Sequence, residues 1–171
     1  MKQQKQLILF LIFALITIIS CDEKVEDEVT TNTYTKTKSG YFYHYLSTLN
    51  CAWDLANDVS VAKDGDANAQ SIISGNDAGG SFSGEWVSNN GTTFVKTPNF
   101  NYTSFTDAEV ISAYNSGTEV STVYVDPNAT DIIIAKNGST YYIIKVTAVD
   151  PNDSSCACGH PGKLSFDYKK K

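Results

Sequence analysis

From about residue 39 onward the chain is a series of short apolar runs separated by clusters of Gly, Asn, Asp and Ser. Short runs rich in Tyr, Val, Ile, Phe and Thr, each closed by such a cluster, are the pattern of strands and turns. YFYHYL (Tyr41 to Leu46), VSVAK before the turn DGDAN, SIIS, SFSGEWV and TTFVK all follow it. One segment breaks the rule. In TDAEVISAYNSG, Thr106 is placed to cap a helix and Glu109 to complete its capping box. Val110, Ile111 and Tyr114 recur at helical spacing and Gly117 can end the run. One short helix is predicted near residues 107–116.

The clearest unit is DIIIAKNGSTYYIIKVTAV. Asn137-Gly138 is the preferred pair of a type I′ turn, because both residues tolerate positive φ. That turn sets Lys136 opposite Ser139, Ile134 opposite Tyr141 and Ile133 opposite Tyr142. Both faces of this hairpin are apolar, whereas a sheet with one wet face alternates. The hairpin is therefore expected at the centre of the molecule, covered on both sides. KLSFDY (Lys163 to Tyr168) supplies a last alternating strand, with Lys169 to Lys171 expected to fray. The fold class that follows is all-β: a mostly antiparallel, sandwich-like domain with one short helix.

The first residues follow a different pattern. MKQQKQ carries Lys2 and Lys5, and Leu7 to Ser20 has no charge. That run is too short to span a bilayer with its own flanks and has the shape of a secretory signal. Ser20-Cys21 closes it, and IISC resembles the lipobox of bacterial lipoproteins, in which the Cys sulfur is acylated and the chain is cut just before it. Cys21 is thus the expected lipidation site. DEKVEDE follows, a dense run of acids that reads as a solvated tether. It also resembles the surface-export signal of Bacteroidetes lipoproteins. The expected organisation is a signal peptide over residues 1–20, a lipidated Cys with an acidic, Thr-rich tether over 21–38, and the β domain over 39–171. The expected location is the outer membrane, lipid-anchored, facing outward.

Charge removes some function classes. The chain has no Arg, and loss of Lys2 and Lys5 with the signal leaves 11 Lys against 19 acids, a net charge near −8. Nucleic acid is not an expected partner, since phosphate binding needs clustered cations. The cysteines are Cys21, Cys51, Cys156 and Cys158. With Cys21 lipidated, three thiols face an oxidising compartment, so at most one disulfide forms within the chain: Cys51 with Cys156 or Cys158. Such a bridge closes a loop long enough to stabilise by up to roughly 4–5 kcal/mol on the chain-entropy model. Cys51, Cys156, Cys158 and His160 also form a Cys₃His set of the kind that holds zinc, although Cys-x-Cys is tighter than usual. Asp64, Asp66 and Asn68 in DGDAN resemble the start of a calcium loop, but Ala69 and Gly75 occupy its Gly and acid positions, so a hairpin turn is the expected reading. GGSFSG opens no helix and has no Lys for phosphate. No nucleophile–base signature is present, and catalysis is not expected.

Three stretches together carry a resemblance. YFYHYL followed by WDLAN (Trp53 to Asn57), the hairpin IIIAKNGSTYYIIKVTAV, and the closing GKLSFDY resemble, in that order behind a lipobox, the HmuY-like haem-binding lipoproteins of Bacteroidetes. The resemblance implies an all-β fold and capture of haem outside the cell for delivery to an outer-membrane transporter. Family members clamp iron with His or Met from loops in the middle-to-late part of the domain, but residues 75–153 here contain neither. No family ligand position carries over. The remaining candidates are His160 in its Gly-Pro turn and His44, with Tyr102, Tyr114 and Tyr124 as phenolate ligands of the type catalase uses. Alternation groups His44 with Phe42, on a face expected to be outer or half-buried. Three readings follow: a binder of haem or another apolar small ligand, a docking lipoprotein that keeps the fold without haem, and a Cys/His metal-binding lipoprotein.

Overall fold

The computed structural model describes residues 34–44, 49–62, 71–74, 84–88, 90–125, 131–155 and 162–171, with the backbone alone at 71–74. The strands are β1 (Lys38–Tyr43), β2 (Ala52–Asp54), β3 (Val59–Val61), β4 (Ser71–Ser74), β5 (Glu85–Ser88), β6 (Thr93–Lys96), β7 (Thr122–Tyr124), β8 (Ile132–Asn137), β9 (Thr140–Asp150) and β10 (Lys163–Lys170). The helix α1 spans Asp107–Ser116. One sheet runs β1-β10-β9-β8-β6 and the other β3-β2-β4-β5-β7. Every pairing is antiparallel. This is the all-β sandwich that the strand-and-turn pattern predicts.

Alternating side chains fill the space between the sheets. Phe42, Trp53, Trp86, Phe94, Phe166 and Tyr168 form its aromatic centre. Trp86 lies 5.9 Å from both Phe42 and Phe166, and Trp53 meets Phe166 edge-on at 6.1 Å. Edge-to-face pairs add about 0.5–1.5 kcal/mol each beyond area burial. The fit leaves no room at Gly40, where a Cβ would come within 2.5 Å of the Phe166 ring.

The opposite face of the first sheet has its own cover. Val95, Ile132, Ile134 and Ile143 pack there against Val110 and Tyr114 of α1, with Phe105 and the partly buried Tyr34. The central hairpin is thus apolar on both faces because both faces are buried. The capping box forms as expected: Glu109 N donates to Thr106 Oγ1 at 3.3 Å and Thr106 N to Glu109 Oε2 at 2.7 Å. Gly117 ends the helix in extended conformation. Glycine is needed there because a Cβ would lie 2.1 Å from a Val95 methyl. Ile111, grouped with the buried positions by spacing, is 39% exposed.

The structure corrects three further expectations. In the hairpin, Asn137 pairs with Thr140, Lys136 with Tyr141 and Ile134 with Ile143. The two turn residues are therefore Gly138 and Ser139, with positive φ at Gly138 alone, as in a type II′ turn. Asn137 stays in the strand, where its Nδ2 donates to Asn90 O at 2.7 Å and Thr92 Oγ1 at 3.1 Å. Second, Lys169 and Lys170 continue β10 and do not fray. Lys170 Nζ reaches Ala56 O at 2.6 Å and Asp58 at 3.0 Å, and Lys171 pairs with Asp107. Third, His44 is neither outer nor half-buried. It follows Phe42 onto the inner face and is fully buried.

Candidate functional site

The early aromatic strand and the closing strand meet at one end of the sandwich. Register places Tyr43 opposite Lys163 and Phe42 opposite Leu164. Phe42 and Leu164 point into the core, so Tyr41, Tyr43 and Lys163 share the other face. The Lys163 ammonium sits 4.7 Å from the Tyr41 ring centroid and 5.6 Å from that of Tyr43. The two rings meet edge-on at 5.8 Å, and Tyr41 also leans on Trp53 at 5.8 Å. Among the described residues no carboxylate pairs directly with Lys163, whereas Lys38, Lys96, Lys170 and Lys171 each have one. Beside this cluster lies an open cleft of about 330 Å³, lined by Tyr41, Tyr43, Leu49, Asn50 and Ser60. Asn50 Nδ2 donates to Ser60 O at 3.1 Å and ties the cleft wall to β3.

The end of β1 also receives the segments that carry the sequence candidates. Tyr43 N donates to Asn50 O at 3.2 Å, next to the buried Cys51. His44 N donates to Gly162 O and Gly162 N to Asp153 O, both at 3.0 Å. The described ends of the segment holding Cys156, Cys158 and His160 are therefore pinned beside β1, while those three residues lie outside the described residues. So do Cys21, Asp64, Asp66 and Asn68, and with them the lipidation site, the calcium-like turn and the Cys51 disulfide partner. Asp153 is held below the usual carboxylate range by hydrogen bonds from Ser155, with the Lys163 charge adding to the effect. Among the described residues no three His, Cys, Asp or Glu side chains are placed to hold a metal.

The tyrosine candidates differ in access. Tyr114 is buried, bonded to Thr93 at 2.5 Å and Glu119 at 2.7 Å. Burial pushes the Tyr114 and Tyr102 phenols up to about 12. Tyr124 is 60% exposed on the edge strand β7, its hydroxyl on Glu85 at 2.9 Å.

WDLAN has a structural role. Trp53 fills the core, and its Nε1 donates to Tyr168 at 3.2 Å. The buried Asp54 accepts from Ala56 N at 2.9 Å and from Asn57 Nδ2 at 2.7 Å, which closes the turn into β3. Asp58 ends that turn at φ 59° and gathers Tyr168, Lys170 and Lys38 around its carboxylate. Burial works to raise the Asp58 carboxyl, but the Tyr168, Lys38 and Lys170 hydrogen bonds together outweigh it and hold the group at about 2.

The sequence reading did not single out Tyr41, Tyr43 or Lys163. Alternation within YFYHY groups the two tyrosines, but only the β1–β10 register brings Lys163 to them. Compared with known family models, with curated proteins and with solved structures, the chain matches none.

Proposed function

We propose that this chain is a lipid-anchored, non-catalytic binding protein of the outer-membrane surface that captures haem and passes it to an outer-membrane transporter. The observation that carries the reading is the Tyr41–Tyr43–Lys163 cluster, a cation seated on two aromatic rings at the rim of a cleft. Haem is a flat apolar ring with two carboxylates. Tyr41 and Tyr43 offer ring faces for the macrocycle, and Lys163 offers charge for a propionate. The segment that contains His160 leaves and returns beside the same strand end, so His160 is the residue proposed to meet the iron. His44 is fully buried and serves the core. The lipobox at Cys21 and the order of the HmuY-like motifs support the location and the cargo.

Haem titrated into the chain from Cys21 onward is expected to give a shifted Soret band. His160→Ala should abolish the shift and Lys163→Ala should weaken binding. No shift in either oxidation state refutes haem capture.

A further inference from the structure

The molecule has a second cleft, on the outer face of the first sheet, and its chemistry is different. The geometry points to a binding site for a neutral, hydroxyl-rich ligand, a saccharide, in the groove between α1 and the 97–105 loop. The groove has a volume of about 390 Å³. Its floor is aromatic: the partly buried Phe100 lies on the buried Phe105, ring centroids 5.6 Å apart and tilted by 47°, so Phe100 is the ring that can meet a ligand. Its rim is amide and hydroxyl, from Asn99, Asn101, Ser104 and Ser112.

Charge decides the ligand class. Glu109 is the single ionisable side chain of the lining, and its Oε2 is already engaged by Thr106 N at 2.7 Å and Thr106 Oγ1 at 3.0 Å. The lining itself holds no cation, and Lys169, whose ammonium lies 5.0 Å from the Phe105 ring centroid, is already bonded to Tyr102 O at 3.1 Å, so the groove is not built for an anion such as haem propionate. With one carboxylate, already used, a metal ion has no ligand set. A wholly apolar ligand would leave the Asn and Ser groups unpaired. A sugar ring satisfies both halves, because its C–H face covers an aromatic ring while its hydroxyls exchange bonds with amides and hydroxyls. A peptide strand would look for an unpaired strand edge, whereas these walls are a helix and a loop.

The rim is preorganised. Thr97 N and Thr97 Oγ1 donate to Ile132 O at 2.8 and 3.0 Å, fixing the loop to β8. Asn101 Oδ1 accepts from Thr103 N at 3.1 Å, Thr103 Oγ1 at 2.8 Å and Ser104 N at 3.3 Å. That use of the oxygen leaves Asn101 Nδ2 as a donor held in one orientation, at low entropic cost to a ligand.

The test is nuclear magnetic resonance titration of the chain from Cys21 onward with maltohexaose, cellohexaose, xylohexaose and mannohexaose. At least one is expected to shift the amide signals of residues 99–116, with a Kd of about 1 mM or tighter. Asn101→Asp keeps the oxygen that organises the loop, replaces the donor with a charge, and should weaken binding roughly tenfold or more without changing the melting temperature. Phe100→Ala tests the floor in the same way. Four probes that leave 99–116 unmoved, equal shifts from a Gly-Ser peptide, or undiminished binding by Asn101→Asp would overturn the site. Haem capture is read separately by the Soret band, which Asn101→Asp should leave unchanged.

Discussion

The two faces of the β1-β10-β9-β8-β6 sheet are buried by different means. The inner face meets a second sheet, and the seam is filled by Phe42, Trp53, Trp86, Phe94 and Phe166 in edge-to-face and tilted contacts. One chain of bonds crosses it, from Trp53 through Tyr168 to Asp58 and its two lysines, while the buried Trp86 Nε1 has no hydrogen-bond partner among the described residues. Among the described residues, the outer face meets a short helix, a loop and Tyr34. Lysines supplement that cover: Lys169 lies 4.9 Å from the Tyr102 ring centroid and 5.0 Å from that of Phe105, and Lys136 lies 5.3 Å from Tyr114. A sheet-on-sheet seam excludes ligands because each ring is locked by several others. A helix and loop laid on a sheet leave gaps at their margins, and the groove lies at such a margin. Cover built this way leaves room for recognition while the other face supplies rigidity.

Three measurements test the contrast. The largest effect is expected from Trp86→Ala, which opens a cavity among fully buried rings and should cost about 3–5 kcal/mol in denaturant unfolding. A loss below about 1 kcal/mol would remove the inner seam from its leading role.

Tyr168→Phe comes next. It takes the acceptor from Trp53 Nε1 and a donor from Asp58, and should cost about 1–3 kcal/mol. The same variant has a pH signature. Asp58 is held at about 2 in the folded chain, below its ordinary 3.8. Its contribution to stability is therefore complete above the unfolded value and is lost as pH falls from there through about 2. With the Tyr168 bond gone, the folded carboxyl rises toward its ordinary value and this acid-dependent part shrinks. Unfolding curves taken across that range for both proteins give the comparison, and identical pH slopes would contradict it.

The smallest effect is expected on the outer face. Thr106→Ala removes the helix cap and should cost about 1 kcal/mol. Hydrogen exchange should quicken in α1 and stay unchanged in β9 and β10, because the helix can loosen without opening the seam. Uniform acceleration through the domain would mean that the two layers open as one.

The candidate sites were legible only in part. His44, Cys51, Cys156, Cys158 and His160 could be picked out by residue type; His44 bonds to Gly162 and Tyr43 to Asn50, beside Cys51, at the end of β1, while Cys156, Cys158 and His160 lie outside the described residues. The Tyr41–Tyr43–Lys163 cluster could not, because its cation lies about 120 residues downstream and arrives only through strand pairing. The groove was hidden for a similar reason. Asn101 and Ser112 are ordinary loop and helix residues until the loop is tied to β8.

By itself the sequence determined what depends on near neighbours. It set the strand-and-turn pattern, the one helix with its Thr106–Glu109 box, and the hairpin's need for cover on both faces. These are properties of periodicity and local hydrogen bonding, which act over a few residues. The tertiary structure decided the hairpin register, through Asn137 bonding to Asn90 and Thr92. It buried His44 by placing the Phe42 face inward, and it gave the terminal lysines partners at Ala56, Asp58, Tyr102 and Asp107. Those choices rest on contacts between residues far apart in the chain, whose energy exists only once two sheets and a helix have closed on one another.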